Sequence, residues 1–223
     1  MVKFPNNRQG VIVLVNETIV SVLAEFLRVS SPEGGIVLVP QELIDAEAGL
    51  RRSDGAKFAG GLCFGSAYYE AIDDPGAATL ALASNIEDLA GIVLLDTLCA
   101  NTDRENNTGN LLLTTVDGEN TVMAIDHGHC FGYQWDNTLP AKSGELRVVC
   151  RDDFVAHIEP GHFDPYIDRM RQLDQSTLDS ILTDLDGLWE LTESGLGAVK
   201  TFIFSRVAPV EQALRERWPE SGG

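Results

Sequence analysis

The sequence predicts an α+β protein of two lobes, with a strand-rich first third and a helical remainder. Three observations carry this. Short β-branched runs dominate the first part of the chain. From Ser84 onward, apolar residues recur mainly at helical spacing. One hairpin, marked by Asp117-Gly118 between two apolar runs, interrupts the helical part and carries polar residues at its open end. The 223 residues are 44% hydrophobic, enough for one domain, 1–223. A small lobe spans 1–75 and a larger helical lobe 76–223.

Each element has a local reason. Val2 to Phe4 reads as the end of a strand, and Pro5 to Gly10 as a polar turn. Ile19, Val20, Leu23, Phe26 and Leu27 place a helix over about Val15 to Arg28. Ile36 to Val39 is a strand by length and composition, Gln41 to Leu50 a short helix, and 51–61 a loop. Leu62 to Tyr69 holds a further strand, interrupted at Gly65 and Ser66. Ser84 and Glu87 form a capping-box pattern that opens a helix ending near Ala100. Leu111 to Thr115 and Thr121 to Ile125 are the hairpin strands. Tyr133 to Pro160 is poorly patterned. Ser176 is expected to cap a helix bearing Leu178, Ile181, Leu182 and Leu185. Leu196 to Val207 is a further helix, and Pro209 suits the first position of a last one.

Charge narrows the function. Sixteen Lys and Arg against 34 Asp and Glu give a net charge of -18. Such a surface repels a nucleic-acid backbone and anionic lipid alike. The apolar run Val11 to Val15 stops at Asn16-Glu17, too short for a signal core or membrane span. A soluble cytoplasmic protein is expected, with Cys63, Cys99, Cys130 and Cys150 as reduced thiols. Asn16-Glu-Thr18 and Asn106-Asn-Thr108 match a glycosylation pattern that has no meaning without secretion.

The polar residues around the hairpin suit phosphoryl transfer. Asp103 follows a helix, where a general base can face solvent on one side; read alone, it is a turn aspartate bonding its own backbone. Asn110 leads into Leu111 to Leu113, and its amide oxygen is a hard ligand suited to Mg²⁺. Asp126 ends the second hairpin strand before His127-Gly128, and burying it calls for a cation or a donor. Lys3 could point into the cleft and hold nucleotide phosphates, with Glu17 fixing its direction. His127-Gly128-His129-Cys130 invites zinc, but Gly128 breaks the extended geometry that alternate ligands need, so the histidines are assigned to orienting Asp126 or packing the turn.

Val2-Lys3-Phe4, Val15-Asn16-Glu17, Asn101-Thr-Asp103-Arg104, Asn110-Leu-Leu and Ile125-Asp126-His-Gly128 together resemble the HipA-like kinases, which belong to the bacterial protein-kinase-like superfamily and are related to phosphoinositide kinases. The resemblance covers nearly the whole chain, through Trp189 and the helix around Arg206. It implies a two-lobed protein-kinase-like fold and ATP-dependent phosphorylation of a Ser or Thr hydroxyl on a protein substrate. By it, Lys3 grips the α- and β-phosphates and Glu17 supports it. Asp103 is catalytic, and Asn110 and Asp126 bind Mg²⁺. The strand around Phe64 and Tyr68 is the hinge that receives adenine through backbone bonds. Relatives usually place the metal-binding amide five residues after the catalytic aspartate, which is Thr108 here; Asn110 is seven after, with Asn106 and Asn107 as alternatives. Strands and a nucleotide-covering loop that precede the lysine in relatives are expected to be missing. An antitoxin-like partner is a further implication. Two alternatives stand beside this reading: a catalytically dead kinase fold that binds nucleotide or protein, and a metal-dependent phosphohydrolase using Asp103, Asp126 and the histidines.

Overall fold

The computed structural model describes residues 1–73, 75–133, 139 and 146–220. It is a mixed α/β fold with two small antiparallel sheets. In the first sheet, β3 (Gly61–Ser66) lies between β1 (Val2–Lys3) and β2 (Gly34–Val39). In the second, β5 (Leu111–Val116) lies between β4 (Ala71–Asp73) and β6 (Glu119–Ala124). Residues 67–70 join the two sheets. Strand β4 has no counterpart in the sequence reading, being three residues with only one β-branched side chain.

Helix α1 (Ile12–Leu27) begins earlier than its apolar spacing suggested. Its buried residues include Asn16 and Glu17, so the polar pair that breaks the apolar run sits inside the helix. The short helix α2 is Gln41–Ala46 and α3 is Ala77–Leu80. Helix α4 (Leu89–Cys99) is buried at every position, as its apolar character on all faces requires. The main core gathers α1, α4, the inner side of the second sheet and the C-terminal helices α6 (Asp164–Met170), α7 (Gln175–Ile181) and α8 (Glu193–Arg217). At about 1.5–3 kcal/mol for each fully buried large apolar side chain, this cluster dominates the stability of the chain. A smaller cluster of Phe4, Ile44 and Cys63 lies against the first sheet.

Three local expectations are corrected. Ser84 makes no capping bond; its hydroxyl donates to the Asn120 carbonyl at 2.8 Å, drawn there by the neighbouring strand β6. Helix α7 is capped by Asp174, whose carboxylate accepts the Thr177 N–H at 2.7 Å, not by Ser176. Pro209 lies inside the single helix α8 rather than starting a new one. It forgoes one backbone bond there, while buried Ile203, Arg206 and Val210 hold both halves to the core. The poorly patterned stretch from Tyr133 is partly described: 134–138 and 140–145 lie outside the described residues.

The end of α4 is fixed by the backbone and by a distant side chain. Ala100 adopts a left-handed conformation, φ 54°, which stops the helix. Buried Arg206 on α8 donates to the last-turn carbonyls of Thr97 and Leu98 at 2.8 and 3.0 Å. Trp189, also left-handed at φ 47°, donates from Nε1 to the Leu62 carbonyl on β3 at 2.8 Å. These contacts give the two C-terminal residues in the resemblance a physical role. No helix among the described residues is long and apolar enough to cross a membrane.

Candidate active site

Lys3 projects from β1 between two carboxylates. Its Nζ donates to Glu17 Oε1 and, at 2.6 Å, to Asp126 Oδ1. Burial raises the Glu17 carboxyl more than the adjacent ammonium lowers it, so its pKa lies above the ordinary carboxylate value. Burial also acts to raise Asp126, but Lys3 outweighs it and holds this carboxyl below the ordinary value. Of the two acids touching Lys3, Asp126 therefore keeps its charge more firmly. Its backbone is left-handed, φ 57°, which turns the chain sharply out of β6.

Asp103 and Asn110 form the second half of the site. Short helix α5 (Asp103–Asn106) starts at the aspartate, and Asn110 ends a 3₁₀ turn at the mouth of β5. Asn110 Nδ2 donates to Asp103 Oδ2 at 2.9 Å. The Ile125 N–H donates to the Asn110 carbonyl at 3.1 Å, so Asn110 lies across the hairpin from the residue before Asp126. The open end of the hairpin thus joins the two halves. The Asn110 Oδ1 accepts no hydrogen bond among the described residues. An unused amide oxygen and a charged carboxylate are hard donors that fit Mg²⁺, an ion that typically takes few protein ligands and completes its shell with water and phosphate. Asn107 lies between α5 and that turn, and the side chain of Asn106 is outside the described part.

A network that the sequence did not reveal holds these parts. Arg104, only 1% exposed, donates through Nε to Asp96 Oδ2 at 2.5 Å. Its Nη1 donates to the Asn110 carbonyl and to the Ile125 carbonyl, the latter at 2.9 Å. Its Nη2 reaches His127 Nδ1 at 3.2 Å. Burial and the neighbouring guanidinium keep His127 neutral, its pKa far below normal, so Nδ1 can accept. Asn101 Nδ2 completes the set at Asp96 Oδ1, 2.9 Å. One buried cation therefore braces both proposed metal ligands from behind. Only the adjacency of Arg104 to Asp103 hinted at this; the partner Asp96 is one acid in an otherwise apolar helix.

Asn16 is a second such residue. Rather than a glycan acceptor it is a buried clamp, donating to the carbonyls of Gly128 and Cys130 at 2.8 and 2.9 Å. Gly128 lets that turn approach α1, since a Cβ there would stand 2.6 Å from Val13 Cγ1. Gly128→Ala should therefore cost about 1–3 kcal/mol, read as a lowered urea midpoint. His127 and His129 are each engaged separately, His127 with Arg104 and His129 Nε2 with Gln9 Nε2 at 2.7 Å. Among the described residues no three His, Cys, Asp or Glu side chains form a metal cluster.

The cleft that contains Lys3, Glu17 and Asp126 is also lined by Ser21, Phe64 and His127. Phe64 presents its ring there while its backbone is paired within the first sheet. The Tyr68 side chain is 80% exposed and lies outside this lining, in the connector between the sheets. Further along, the Ser66 and Ala67 N–H groups are taken by the Met1 and Glu33 carbonyls, both at 2.8 Å.

Comparison with known proteins is decisive for lineage. A family model described as HipA-like kinase matches residues 2–194. The chain belongs to the HipA-like kinase family. Among solved structures it is similar to the Helicobacter pylori proinflammatory kinase CtkA, at 15% identity and a TM-score of 0.56, covering 99% of this chain and 90% of that one. At that identity the likeness speaks for the fold. No curated protein matches the sequence.

Proposed function

We propose that this HipA-like family member is an ATP- and Mg²⁺-dependent phosphotransferase that phosphorylates a Ser or Thr hydroxyl of a protein. In this reading the chain is a single two-lobed kinase domain, with 1–75 as the small lobe, 76–223 as the helical lobe and residues 67–70 as the adenine-side connector. The observation that carries it is the Lys3 ammonium, bonded to both Glu17 and Asp126, with Asp103 and Asn110 bonded to each other at the same hairpin mouth.

Each residue then has a task. Lys3, steered by buried Glu17, exchanges its bond to Asp126 for bonds to phosphate oxygens. Asp126 and the free amide oxygen of Asn110 hold the metal. Mg²⁺ supplies charge neutralisation across the phosphates when bound. Asp103 accepts the proton of the attacking hydroxyl on a carboxylate oxygen as the new P–O bond forms and the γ-phosphate leaves ADP. Phe64 offers an apolar face for the base. Four free cysteines agree with a reducing, ATP-rich cytoplasm.

The test is calorimetric titration with ATP, with and without Mg²⁺, followed by phosphate transfer from labelled ATP to a generic Ser/Thr substrate. Magnesium should tighten nucleotide binding sharply, and label should appear on Ser or Thr. Absence of both would leave the catalytically dead kinase fold, binding nucleotide or protein, as the reading. Turnover of a phosphate ester without ATP would favour the hydrolase.

A further inference from the structure

The histidine that plays no part in metal or nucleotide binding lies against the catalytic carboxylate. His129 Nδ1 is 3.4 Å from Asp103 Oδ1, while the other oxygen, Oδ2, is bonded by Asn110. On its far side, His129 Nε2 meets the Gln9 side-chain amide nitrogen at 2.7 Å. An amide nitrogen only donates, so Nε2 must accept, and the ring proton of the neutral imidazole then sits on Nδ1. That proton points to the Asp103 side. In that tautomer a donor faces Asp103 Oδ1 at 3.4 Å, close enough for contact but short of a hydrogen bond.

The backbone at both ends of this chain of contacts is held by hydrogen bonds. Gln9 lies in the turn between β1 and α1, where its own N–H donates to Asn7 Oδ1 at 2.8 Å. Asn7 Nδ2 in turn bonds the Phe4 and Gly10 carbonyls at 2.8 and 3.2 Å. His129 is flanked by the two carbonyls that Asn16 clamps. Neither residue is needed for the packing of the main core, and both His129 and Asp103 are about one-quarter exposed, at 25% and 26% of their side chains.

We propose that His129, with its tautomer set by Gln9, is a positioning residue that aims the free oxygen of Asp103 at the incoming hydroxyl. The turn that comes after the phosphate-binding lysine thereby reports to the proton acceptor. A carboxylate bonded at one oxygen only can still rotate; a ring lying against the other oxygen limits that rotation. This rests on the proposed kinase activity.

The experiment uses the full chain with Mg·ATP and a generic Ser/Thr substrate. His129→Leu should lower kcat about 10- to 100-fold, the usual scale for a residue that orients a catalytic group, with KM for Mg·ATP unchanged. His129→Asn, whose amide NH₂ replaces the Nδ1–H, should recover most of that loss. Gln9→Met should lower kcat in the wild-type background, because the tautomer is no longer set. It should have no further effect alongside His129→Asn, which has no tautomer to set. A kcat for His129→Leu within twofold of wild type overturns the proposal. So does a loss that tracks the melting temperature, or a Gln9→Met effect that persists beside His129→Asn. A wild type without Mg-dependent transfer overturns the kinase reading and this proposal together, whereas active wild type with active variants overturns the proposal alone.

Discussion

Asp126→Asn should abolish Mg²⁺-dependent nucleotide binding and phosphate transfer while leaving a folded protein. Asparagine tolerates the left-handed backbone found at this position, φ 57°, so the turn is not strained. Lys3 retains Glu17 as a partner. What is lost is the negative charge that Lys3 keeps ionised. Asp103→Ala should separate the steps. It removes the proton acceptor, lowering turnover by about 10²- to 10⁴-fold, and leaves the affinity for Mg·ATP near wild type. Its structural cost is the single bond from Asn110, about 1 kcal/mol. Wild-type Mg·ATP affinity in Asp126→Asn would remove that residue from the metal site. Undiminished turnover in Asp103→Ala would do the same for the base.

Arg104→Met should be the most destabilising single change near the site. It strands Asp96, which is fully enclosed, and the loss of one partner of a buried pair costs about 3–5 kcal/mol. Burial already pushes the Asp96 carboxyl above its ordinary pKa, against the pull of Arg104, so without the guanidinium the charged form is harder still to keep. The expected result is a large fall in the urea midpoint. Arg104→Met combined with Asp96→Leu should regain much of that stability, since two apolar groups then replace the pair. Activity should stay low in the double variant, because the Asn110 and Ile125 carbonyls and His127 have still lost their shared donor. Recovery of activity along with stability would show that Arg104 serves the fold only.

Much of the architecture could be read in advance where the signal is local. Asp117-Gly118 announces the hairpin because both positions need positive φ, and both have it, at 51° and 87°. The apolar spacing of α1 and the helix ending near Ala100 were equally plain. Lys3, Glu17, Asp103, Asn110 and Asp126 were singled out by their places around the hairpin and the first strand and helix, with roles implied by family resemblance, and the fold brings Lys3 to both Glu17 and Asp126 and Asn110 to Asp103. What stayed hidden depends on distant partners. Asn16 looks like an interruption until Gly128 is beside it, and Arg104 has four partners spread from Asp96 to His127. Ser84 and Pro209 misled for a related reason: a neighbouring strand and a packed core overrode local preference.

The hairpin has a consequence for tolerance to change. Five rungs separate its exposed tip from the Leu111–Ala124 pair, beside which Asn110 and Asp126 emerge. At about 3.4 Å per residue the tip is some 20 Å away along the strands. Yet its two-residue length sets which residue faces which all the way down. Lengthening Asp117-Gly118 by one residue would invite a slip of the ladder, carrying Asp126 to the opposite side from Asn110. A surface loop that touches no ligand is thus the ruler by which the distant oxygens are spaced.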